Sequence, residues 1–258
     1  MCDGGFLLVP AFGKRLKFFV IPMSMLRLIL FFICLPLVFC HAAENELFLK
    51  DNLKFAKPGD YLVTMQNKNY SLLLVRSVEA GQISVEEITV PAVRLPSKPG
   101  FSWKRWIQEG APKNSSWLLY KIKLPEGTMQ QAYSYTRNEW VVVPQTQNFL
   151  STLLNLKMQR IPQEERKRVG LKHSNDRPDD RPLWEPKLVF EGKTVPGVAF
   201  CAWRARWPKD GSGLSGKVIE AYLPKEEGSY PAYFPYWMEV IGMVGKAKVR
   251  IVDAGSLL

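Results

Sequence analysis

The feature that most constrains the fold is a two-residue period of apolar side chains in two stretches of the chain. In Trp117–Leu124 (WLLYKIKL), every second side chain from Leu118 onward is apolar, while Lys121 and Lys123 occupy positions between them. Ala199–Trp207 is likewise apolar at each odd-numbered position. A period of two residues places successive side chains on opposite faces of a β-strand. This pattern is typical of antiparallel sheets with one solvated face, so it predicts a β-rich fold.

Further stretches have the composition of short strands between turn residues. They are Asp60–Gln66, Tyr70–Val78, Gln82–Val90, Gln130–Arg137, Trp140–Val143, Lys187–Phe190, Val218–Leu223 and Lys246–Val252. Short β-prone runs separated by Asn, Gly and Pro favour an antiparallel meander. Pro91, Pro96 and Pro99 lack the backbone donor that a central strand needs, so we expect the first meander to end there.

Two stretches have helical spacing instead. Phe101–Glu109 places Trp103 and Trp106 three residues apart, with charged residues on another side. Gln145–Met158 has an apolar face and is flanked by prolines just before and after it. With about nine strands and two helices, the sequence predicts a mainly β fold (α+β) with helices on one face of an antiparallel sheet.

The N-terminal region contains an apolar run, Leu26–Cys40, that holds one charge, Arg27. At 15 residues it is shorter than the ~20 apolar residues of a membrane-spanning helix. A basic start, an apolar centre and small residues at the end are typical of a secretory signal peptide. Cleavage after Ala42 fits best. We therefore expect residues 1–42 to be an extension and signal peptide, and residues 43–258 to form a single β-rich domain.

Two other interpretations of this region stay open. Phe18–Cys40, taken together, is long enough to span a membrane as an uncleaved anchor. Cys40 follows Leu-Val-Phe in a pattern similar to a bacterial lipoprotein signal, although Phe39 stands where a small residue is needed, and lipidation of Cys40 is the third interpretation. Met23 and Met25 each offer an alternative start that would give a signal peptide of conventional length.

The charge balance of the predicted mature chain is basic. Removal of residues 1–42 leaves 31 basic and 23 acidic residues, a net charge of +8. This favours contact with anionic partners such as a membrane surface. The basic residues are scattered among strands and loops and match no nucleic-acid reading module, so we expect no nucleic-acid partner.

Cysteine content indicates the compartment. Of the four cysteines, Cys201 is the one outside the export region, and one cysteine cannot form an internal disulfide. Export without disulfides is more typical of a bacterial envelope than of a small eukaryotic secreted module. We expect a periplasmic or envelope-associated protein, with anchoring through an uncleaved N-terminal segment as the alternative.

One stretch is similar to a phosphate-binding loop. Gly211–Lys217 (GSGLSGK) nearly matches the P-loop pattern, but the hydroxyl residue needed after the lysine is replaced by Val218. A P-loop also needs a helix after it, and the sequence that follows is strand-like. We expect a hairpin loop there.

Other candidates for chemistry lie in Gln163–Pro186, a polar stretch that we expect to be an exposed loop. His173 is the one histidine of the predicted mature chain, which excludes a multi-histidine metal site. Asp176, Asp179 and Asp180 are clustered carboxylates, but neighbouring arginines neutralise them. The sequence therefore predicts no catalytic residue, no metal and no cofactor.

The aromatic content is high for one sheet, with eight tryptophans and the run Tyr230–Trp237 (YPAYFPYW). These residues either fill the core or line an apolar cavity that holds an acyl chain. The candidates for ligand contact are Trp103, Trp106, Trp117, Tyr120, Trp140, Trp203, Trp207, Tyr236 and Trp237.

The order of several features resembles the lipoprotein-carrier proteins of the LolA type. The features are the signal peptide, a β-meander, Trp117-x-x-Tyr120, Pro125-Glu126-Gly127, Arg137-Asn138-Glu139-Trp140, the helix Phe149–Leu156, and Phe234-Pro235-Tyr236-Trp237 before a last strand. The resemblance implies a curved antiparallel sheet or half-barrel closed by helices, whose apolar interior holds lipid or lipoprotein acyl chains. It also implies that aromatic residues on the inward strand faces contact the ligand.

The sequence thus favours a non-enzymatic, exported envelope protein that binds a lipid or other amphiphile in an apolar half-barrel, with lipoprotein sorting as one form of this role. The alternative is a structural or interaction module of the envelope in which all the tryptophans are core residues. A hydrolase with an unidentified nucleophile is the third and weakest hypothesis.

Overall fold

Antiparallel pairing of short strands organises the protein. The structure, a computed structural model, describes residues 45–96, 100–142, 149–171, 179–225, 230–241 and 247–258. The strands are β1 (Glu46–Leu47), β2 (Asp60–Gln66), β3 (Asn69–Glu79), β4 (Gln82–Pro91), β5 (Ser116–Lys123), β6 (Thr128–Ser134), β7 (Glu139–Val142), β8 (Met158–Arg160), β9 (Leu188–Phe190), β10 (Lys193–Val195), β11 (Phe200–Arg206), β12 (Val218–Pro224), β13 (Trp237–Ile241) and β14 (Lys248–Ser256).

Twelve of these strands form one sheet, in the order β1-β8-β11-β12-β13-β14-β2-β3-β4-β5-β6-β7. Each pairing in it is antiparallel. Two meanders, β2 to β7 and β11 to β14, are joined where β14 pairs with β2. Strands β9 and β10 form a separate hairpin. The prediction of a mainly β fold built on a curved antiparallel sheet is confirmed.

The helices are short. They are α1 (Leu49–Asn52), α2 (Trp103–Gln108) and α3 (Phe149–Leu154), with 3-10 turns at Leu53–Phe55, Ala92–Arg94 and Gln163–Glu165. Among the described residues, no helix has the length and apolar character needed to cross a membrane.

The sheet buries apolar side chains on both faces. On β2, Leu62 belongs to one core, while its neighbours Tyr61 and Val63 belong to another. The larger core unites side chains of β4–β6 with side chains of β11–β13, which are far apart in the strand order. This requires the sheet to curve toward that side. We call the side of the sheet that carries Leu62, Val85 and Ile122 the inner face and the opposite side the outer face. At β11 and β12 the larger core also includes outer-face side chains such as Phe200 and Tyr222.

Helices lie on both of these faces. Leu49 of α1 and Leu153 of α3 are buried in the inner core, whereas Trp103 and Trp106 of α2 are buried in the outer core. The expectation that the helices share one face is corrected here. The physical reason is that β2, β3 and β4 also place apolar side chains on the outer face, and α2 removes those side chains from water.

The predicted bounds of most strands agree with the structure. For example, Asp60–Gln66 has the same bounds in both. The helix predicted for Gln145–Met158 was too long at its end, because Met158 lies in β8. The Asn155 side-chain amide donates to the carbonyls of Ser151 and Gly127 at 3.0 and 3.1 Å, and so holds the chain where the helix stops. Residues 145–148 lie outside the described part of the chain.

The stretch Gln163–Pro186 is less exposed than predicted. Gln163–Glu165 is exposed, but Arg166, Lys167 and Trp184 are half-buried. Trp184 packs edge-on against Tyr222 and also contacts Trp237 on the outer face. The described part of this stretch therefore covers the outer face of β12 and β13.

Several predictions concern residues outside the described part of the chain. The signal peptide, the alternative anchor and lipidation of Cys40 all fall within residues 1–44. His173 and Asp176 fall within residues 172–178. The described residues belong to one compact unit, Ala43–Leu258.

Candidate functional site

A row of hydroxyl side chains crosses four neighbouring strands at one end of the inner face. Thr64 lies opposite Ser71, Ser71 opposite Thr89, and Thr89 opposite Ser116. The Thr64 hydroxyl donates to the Ser71 carbonyl at 3.0 Å, and the Ser71 and Thr89 hydroxyl oxygens are 3.1 Å apart. We call these four residues the hydroxyl row. Since each hydroxyl both donates and accepts, the row offers a polar ligand several hydrogen bonds.

The next row of side chains contains a carboxylate. Glu87 lies opposite Leu73 on one side and Leu118 on the other, and it is half-buried. The Tyr120 hydroxyl donates to Glu87 Oε2 at 2.7 Å. Among the residues that the structure describes, no basic side chain pairs with Glu87 within 4.0 Å. Glu87 is thus a carboxylate with one neutral donor on an otherwise largely apolar wall.

Tyr120 stays protonated in this environment. Burial raises the pKa of its hydroxyl, and the charge of Glu87 and the hydrogen bond to it raise the pKa further. The phenol is therefore a permanent donor that fixes the orientation of Glu87.

Beyond Glu87 the inner face becomes apolar. The following rows are Val75, Val85, Tyr120, Ala132 and Val141, and then Ile83, Ile122 and Met129. The inner face therefore changes from hydroxyl groups to hydrocarbon along the strand direction, with the carboxylate between the two.

Helix α3 lies across this face. The Ser151 hydroxyl accepts from the backbone N–H of Met129 at 2.9 Å, which fixes the helix to β6. The Phe149 ring stacks on Trp207, just after β11, with ring centres 5.4 Å apart and planes 14° apart. The start of α3 thus connects two distant parts of the curved sheet.

Two cavities flank the start of α3 on the inner face. Cavity A has a volume of about 530 Å³ and lies between α3 and strands β4 to β7. Cavity B has a volume of about 340 Å³ and lies between α3 and strands β2 to β4, β13 and β14. Glu87, Phe149 and Leu150 line both cavities. The two cavities are therefore neighbours, separated by side chains of one short helix.

The linings of both cavities combine polar and apolar groups. In cavity A, Leu118, Tyr120 and Val141 accompany Ser116 and other hydroxyl residues. In cavity B, the other three members of the hydroxyl row accompany Leu73, Phe234, Met238 and Val249. A ligand with both a hydrocarbon part and a polar part matches this lining.

Two further cavities have a different character. One of about 730 Å³ lies beside α1, and its lining combines four charged residues with apolar ones: Glu46, Lys50, Asp51 and Lys54, and Leu47, Phe48, Phe55, Leu124 and Pro125. The other, about 340 Å³, lies beside α2 and includes charged residues such as Arg105. Charged linings of this kind favour water over an apolar ligand, so we take the inner-face cavities as the candidate site.

The predicted ligand-contact residues are distributed over both faces and the core. Besides Tyr120, five of them are buried: Trp103 and Trp106 in the outer core, Trp203 and Trp207 in the inner core, and Tyr236. Trp117 and Trp237 are half-buried, and Trp140 is exposed. Of these nine aromatic residues, Tyr120 alone lines cavity A or cavity B. Most of these side chains lie in the core, where large aromatic side chains bury the most area, and their contact with a ligand stays a prediction.

The sequence did not predict a binding site at the hydroxyl row, Glu87 and Phe149. Thr64, Ser71, Thr89 and Ser116 each look like an ordinary polar position in an alternating strand. They become one feature only through the register of four strands.

The candidate catalytic motifs are placed as follows. Gly211–Lys217 lies in the connection between the antiparallel strands β11 and β12, where a hairpin loop was expected. Asp179 pairs with Arg181 at 2.7 Å, and this hydrogen bond lowers the pKa of Asp179 well below its ordinary range. Cys201 is a free, half-buried thiol. Within the described residues, no three His, Cys, Asp or Glu side chains are grouped so that they could hold a metal ion.

Comparison with known proteins supports the architecture. The sequence model of a family described as CT021 protein matches residues 71–196. A solved structure, the hypothetical protein CT021 from Chlamydia trachomatis, is similar with a TM-score of 0.57 and 18% sequence identity. The alignment covers 82% of this chain and 94% of that one. This likeness shows the fold.

The residues matched by the CT021 family model include β4 to β7, which form the wall of cavity A. No curated protein matches the chain. Neither the family description nor the name of the solved structure states a ligand or an activity. Neither concerns carriers of the LolA type, so that resemblance stays a prediction.

Proposed function

We propose that this protein binds an amphiphile on the inner face of its curved sheet, with the hydrocarbon chain in cavities A and B and the polar group at the hydroxyl row. The observation that supports this most is the ordered change from hydroxyl groups to hydrocarbon across one face beside two cavities. A small-molecule site typically has a volume of about 300–1,000 Å³, and both cavities fall in that range.

Burial of the hydrocarbon chain supplies most of the binding free energy in this proposal. Each methylene removed from water contributes about 0.8 kcal/mol. The hydroxyl row then orients the ligand, because it offers partners to the polar group at one end of the inner face. This division of roles, with apolar surface for affinity and few polar groups for orientation, is general for small-molecule sites.

The role extends to location and partners. We propose that the protein acts outside the cytoplasm, in the periplasm or on the envelope, where lipid or lipoprotein acyl chains are its ligands. The signal-like segment before Ala43 and the net charge of +8 after it support this, since a basic protein is attracted to an anionic membrane surface. An enzymatic role is not part of the proposal.

A matched pair of substitutions tests the site. Val141 lines cavity A, whereas the next residue, Val142, is 75% exposed and faces the opposite side of β7. We expect Val141→Trp to fill cavity A and weaken amphiphile binding at least about tenfold, since excluding two methylenes already removes about 1.6 kcal/mol. Val142→Trp should leave affinity unchanged. Titration with a neutral naphthylamine dye whose fluorescence rises in apolar surroundings measures both.

If both variants bind the dye as tightly as the wild type, the dye binds outside cavity A, and the proposed site is contradicted. Thermal unfolding of both variants is the control for folding. Mass spectrometry of the protein purified from membranes under non-denaturing conditions gives an independent measurement. A co-purifying lipid that is lost in Val141→Trp supports the proposal.

A specific observation favours a second candidate, an interaction module of the envelope. Four aromatic rings form a chain on the outer face of β5 to β7: Trp117 to Tyr135, Tyr135 to Tyr133 and Tyr133 to Trp140, with ring centres 5.7, 5.1 and 5.2 Å apart. Tyr135 and Trp140 are exposed. Exposed aromatic groups of this kind mark contact surfaces. Protein that is free of lipid and does not take up the dye would favour this candidate.

A further inference from the structure

We propose that the amphiphile bound on the inner face has a protonated amine, and that Glu87 is the residue that recognises it. This inference rests on the proposed function and specifies the chemical class of the ligand. It concerns a single residue where cavity A and cavity B meet, at the boundary between the hydroxyl row and the apolar rows.

Among the residues that the structure describes, no basic side chain lies within 4.0 Å of the Glu87 carboxylate. The carboxylate is half-buried and accepts one hydrogen bond, from Tyr120 at 2.7 Å. A charged carboxylate carries about four lone-pair sites, so most of its acceptor capacity is open to a ligand. Two buried carboxylates on the outer face, by contrast, pair with arginines, Glu86 with Arg76 at 2.9 Å and Glu220 with Arg204 at 3.0 Å. A third, Asp253, accepts a hydrogen bond from the backbone N–H of Gly192 at 2.9 Å.

A ligand that fills the cavities must compensate the charge of Glu87. An apolar chain that fills the cavities displaces water from around Glu87, and burial of an uncompensated charge is unfavourable. An ammonium group on the ligand removes that cost and forms a charge-assisted hydrogen bond, which is roughly twice as strong as a neutral one. A neutral alcohol compensates the charge only partly.

A negatively charged ligand is unfavourable beside Glu87. A fatty acid would bring a second carboxylate next to Glu87, and like charges at short distance repel. The basic residue of the cavity A lining is Arg137, but its side chain is 71% exposed and lies 3.8 Å from Glu139. In the described lining of cavity B, Glu87 is the charged residue. The site therefore favours a cation.

The hydroxyl row completes the recognition. An ammonium has three donors, of which Glu87 satisfies one or two. Ser71 and Thr89 are on the same inner face, in the row next to Glu87, and their hydroxyl oxygens accept hydrogen bonds. The expected ligand is therefore a single-chain amphiphile whose amine lies at Glu87 and whose chain extends along Leu118 and Tyr120.

Three ligands of equal chain length test the proposal on the wild-type protein. Dodecylamine, dodecanol and dodecanoate are added at neutral pH, below their micelle concentrations, to protein saturated with the neutral naphthylamine dye. We expect dodecylamine to displace the dye at about tenfold lower concentration than dodecanol, the difference between a charge-assisted and a neutral hydrogen bond. Dodecanoate should be the weakest of the three.

Two variants connect this preference to Glu87. In Glu87→Gln, the preference for dodecylamine over dodecanol should disappear while binding of dodecanol is kept. Glu126→Gln is the matched control, because it removes the same charge from an exposed position in the turn between β5 and β6. It should behave like the wild type.

The outcomes separate the two proposals. If none of the three ligands displaces the dye, the proposed function fails and the inference with it. If all three displace it equally, or if dodecanoate is the strongest, the site binds amphiphiles but the amine preference is overturned. A preference for dodecylamine that persists in Glu87→Gln would overturn the role of Glu87. The comparison on the wild type remains decisive if Glu87→Gln fails to fold.

Discussion

At the scale of single residues, Lys167 on the outer face contacts two buried carboxylates. Its ammonium forms ion pairs with Glu239 and, at 3.4 Å, with Glu220. The Glu239 side chain is 2% exposed and that of Glu220 is also buried, whereas Lys167 is 36% exposed. One side chain thus compensates two buried charges and at the same time fixes its own loop on β12 and β13.

Substitution Lys167→Ala should therefore destabilise the protein. Removing one partner of a fully buried ion pair costs about 3–5 kcal/mol. Because Lys167 is partly solvated and Arg204 still pairs with Glu220, we expect a loss of about 2 kcal/mol. Urea unfolding measures it, and Lys187→Ala, at an exposed position, is the control. Hydrogen exchange should also increase at the Trp184 amide, which donates to the Lys167 carbonyl at 2.8 Å.

Lys167 also makes the free energy of unfolding depend on pH. Burial alone lowers the pKa of Lys167, but the hydrogen bond to Glu239 and the charges of Glu239 and Glu220 outweigh it, so the pKa is raised above 10.5. A base with a raised pKa in the folded state stabilises the protein fully below its unfolded-state pKa. This stabilisation is lost as the pH rises through the folded-state pKa. The difference in unfolding free energy between wild type and Lys167→Ala should thus shrink at strongly alkaline pH, and a constant difference would contradict this.

At the scale of elements, α3 decides how much of the inner face is open. It is a six-residue helix, too short to be stable by itself, so its position depends on contacts to the sheet. Ser151 and Asn155 hold its middle and end to β6 and the turn before it. Its start is held by the stack of Phe149 on Trp207, and the Phe149 side chain lines both cavity A and cavity B.

Phe149→Ala should join the two cavities. We expect tighter binding of amphiphiles with longer chains, together with a loss of about 1 kcal/mol in stability from the lost aromatic contact. Phe55→Ala is a matched control, because Phe55 and Phe149 are 47% and 46% exposed and Phe55 lies away from both cavities. It should lose stability without a change in chain-length preference. Binding that is independent of chain length in both variants would show that α3 does not limit the site.

Elements with a strong local pattern were predictable, and those formed by pairing alone were not. The alternation in Trp117–Leu124 and Ala199–Trp207 predicted β5 and β11 to within one residue at each end. β1 and β8 have two and three residues, and they exist because Glu46 and Leu47 pair with a segment about 110 residues away. No local sequence pattern of that length distinguishes such a strand from a loop.

The candidate site was less predictable than the fold for a related reason. The hydroxyl row depends on the register of β2, β3, β4 and β5, and a bulge between Val75 and Ser77 shifts that register within one pair. A slip by one residue would move each hydroxyl group to the other face. The apolar interior was expected, but the abundance of tryptophan did not point to the residues that line cavities A and B, of which Tyr120 is the one candidate named from the sequence. A high tryptophan content indicates a large core, whereas a binding cavity forms where smaller side chains leave part of the interior unfilled.

At the scale of the whole molecule, the two faces of the sheet have different environments. The outer face is covered by α2 and by the loop fixed through Lys167. On the inner face, cavities A and B flank α3, next to the hydroxyl row. A ligand site is therefore compatible with the inner face without loss of the outer core. This arrangement needs no disulfide, because Cys201 is a free thiol in the described part of the chain.

The last prediction concerns how the molecule reaches its ligands. If residues 1–42 are a signal peptide, the full chain made in bacteria should yield a protein that begins at Ala43, as measured by mass and N-terminal sequencing. Small residues are required just before the cleavage site, so Ala42→Phe should prevent processing, whereas Ala43→Phe, just after the site, should not. An intact N-terminus in the wild type would instead show an anchor, and a lipid-modified Cys40 at the N-terminus would show a lipoprotein.

Because the fold contains no internal disulfide between described residues, a chain starting at Ala43 should also fold in the cytoplasm. Dye binding by that protein separates the requirement for export from the requirement for folding.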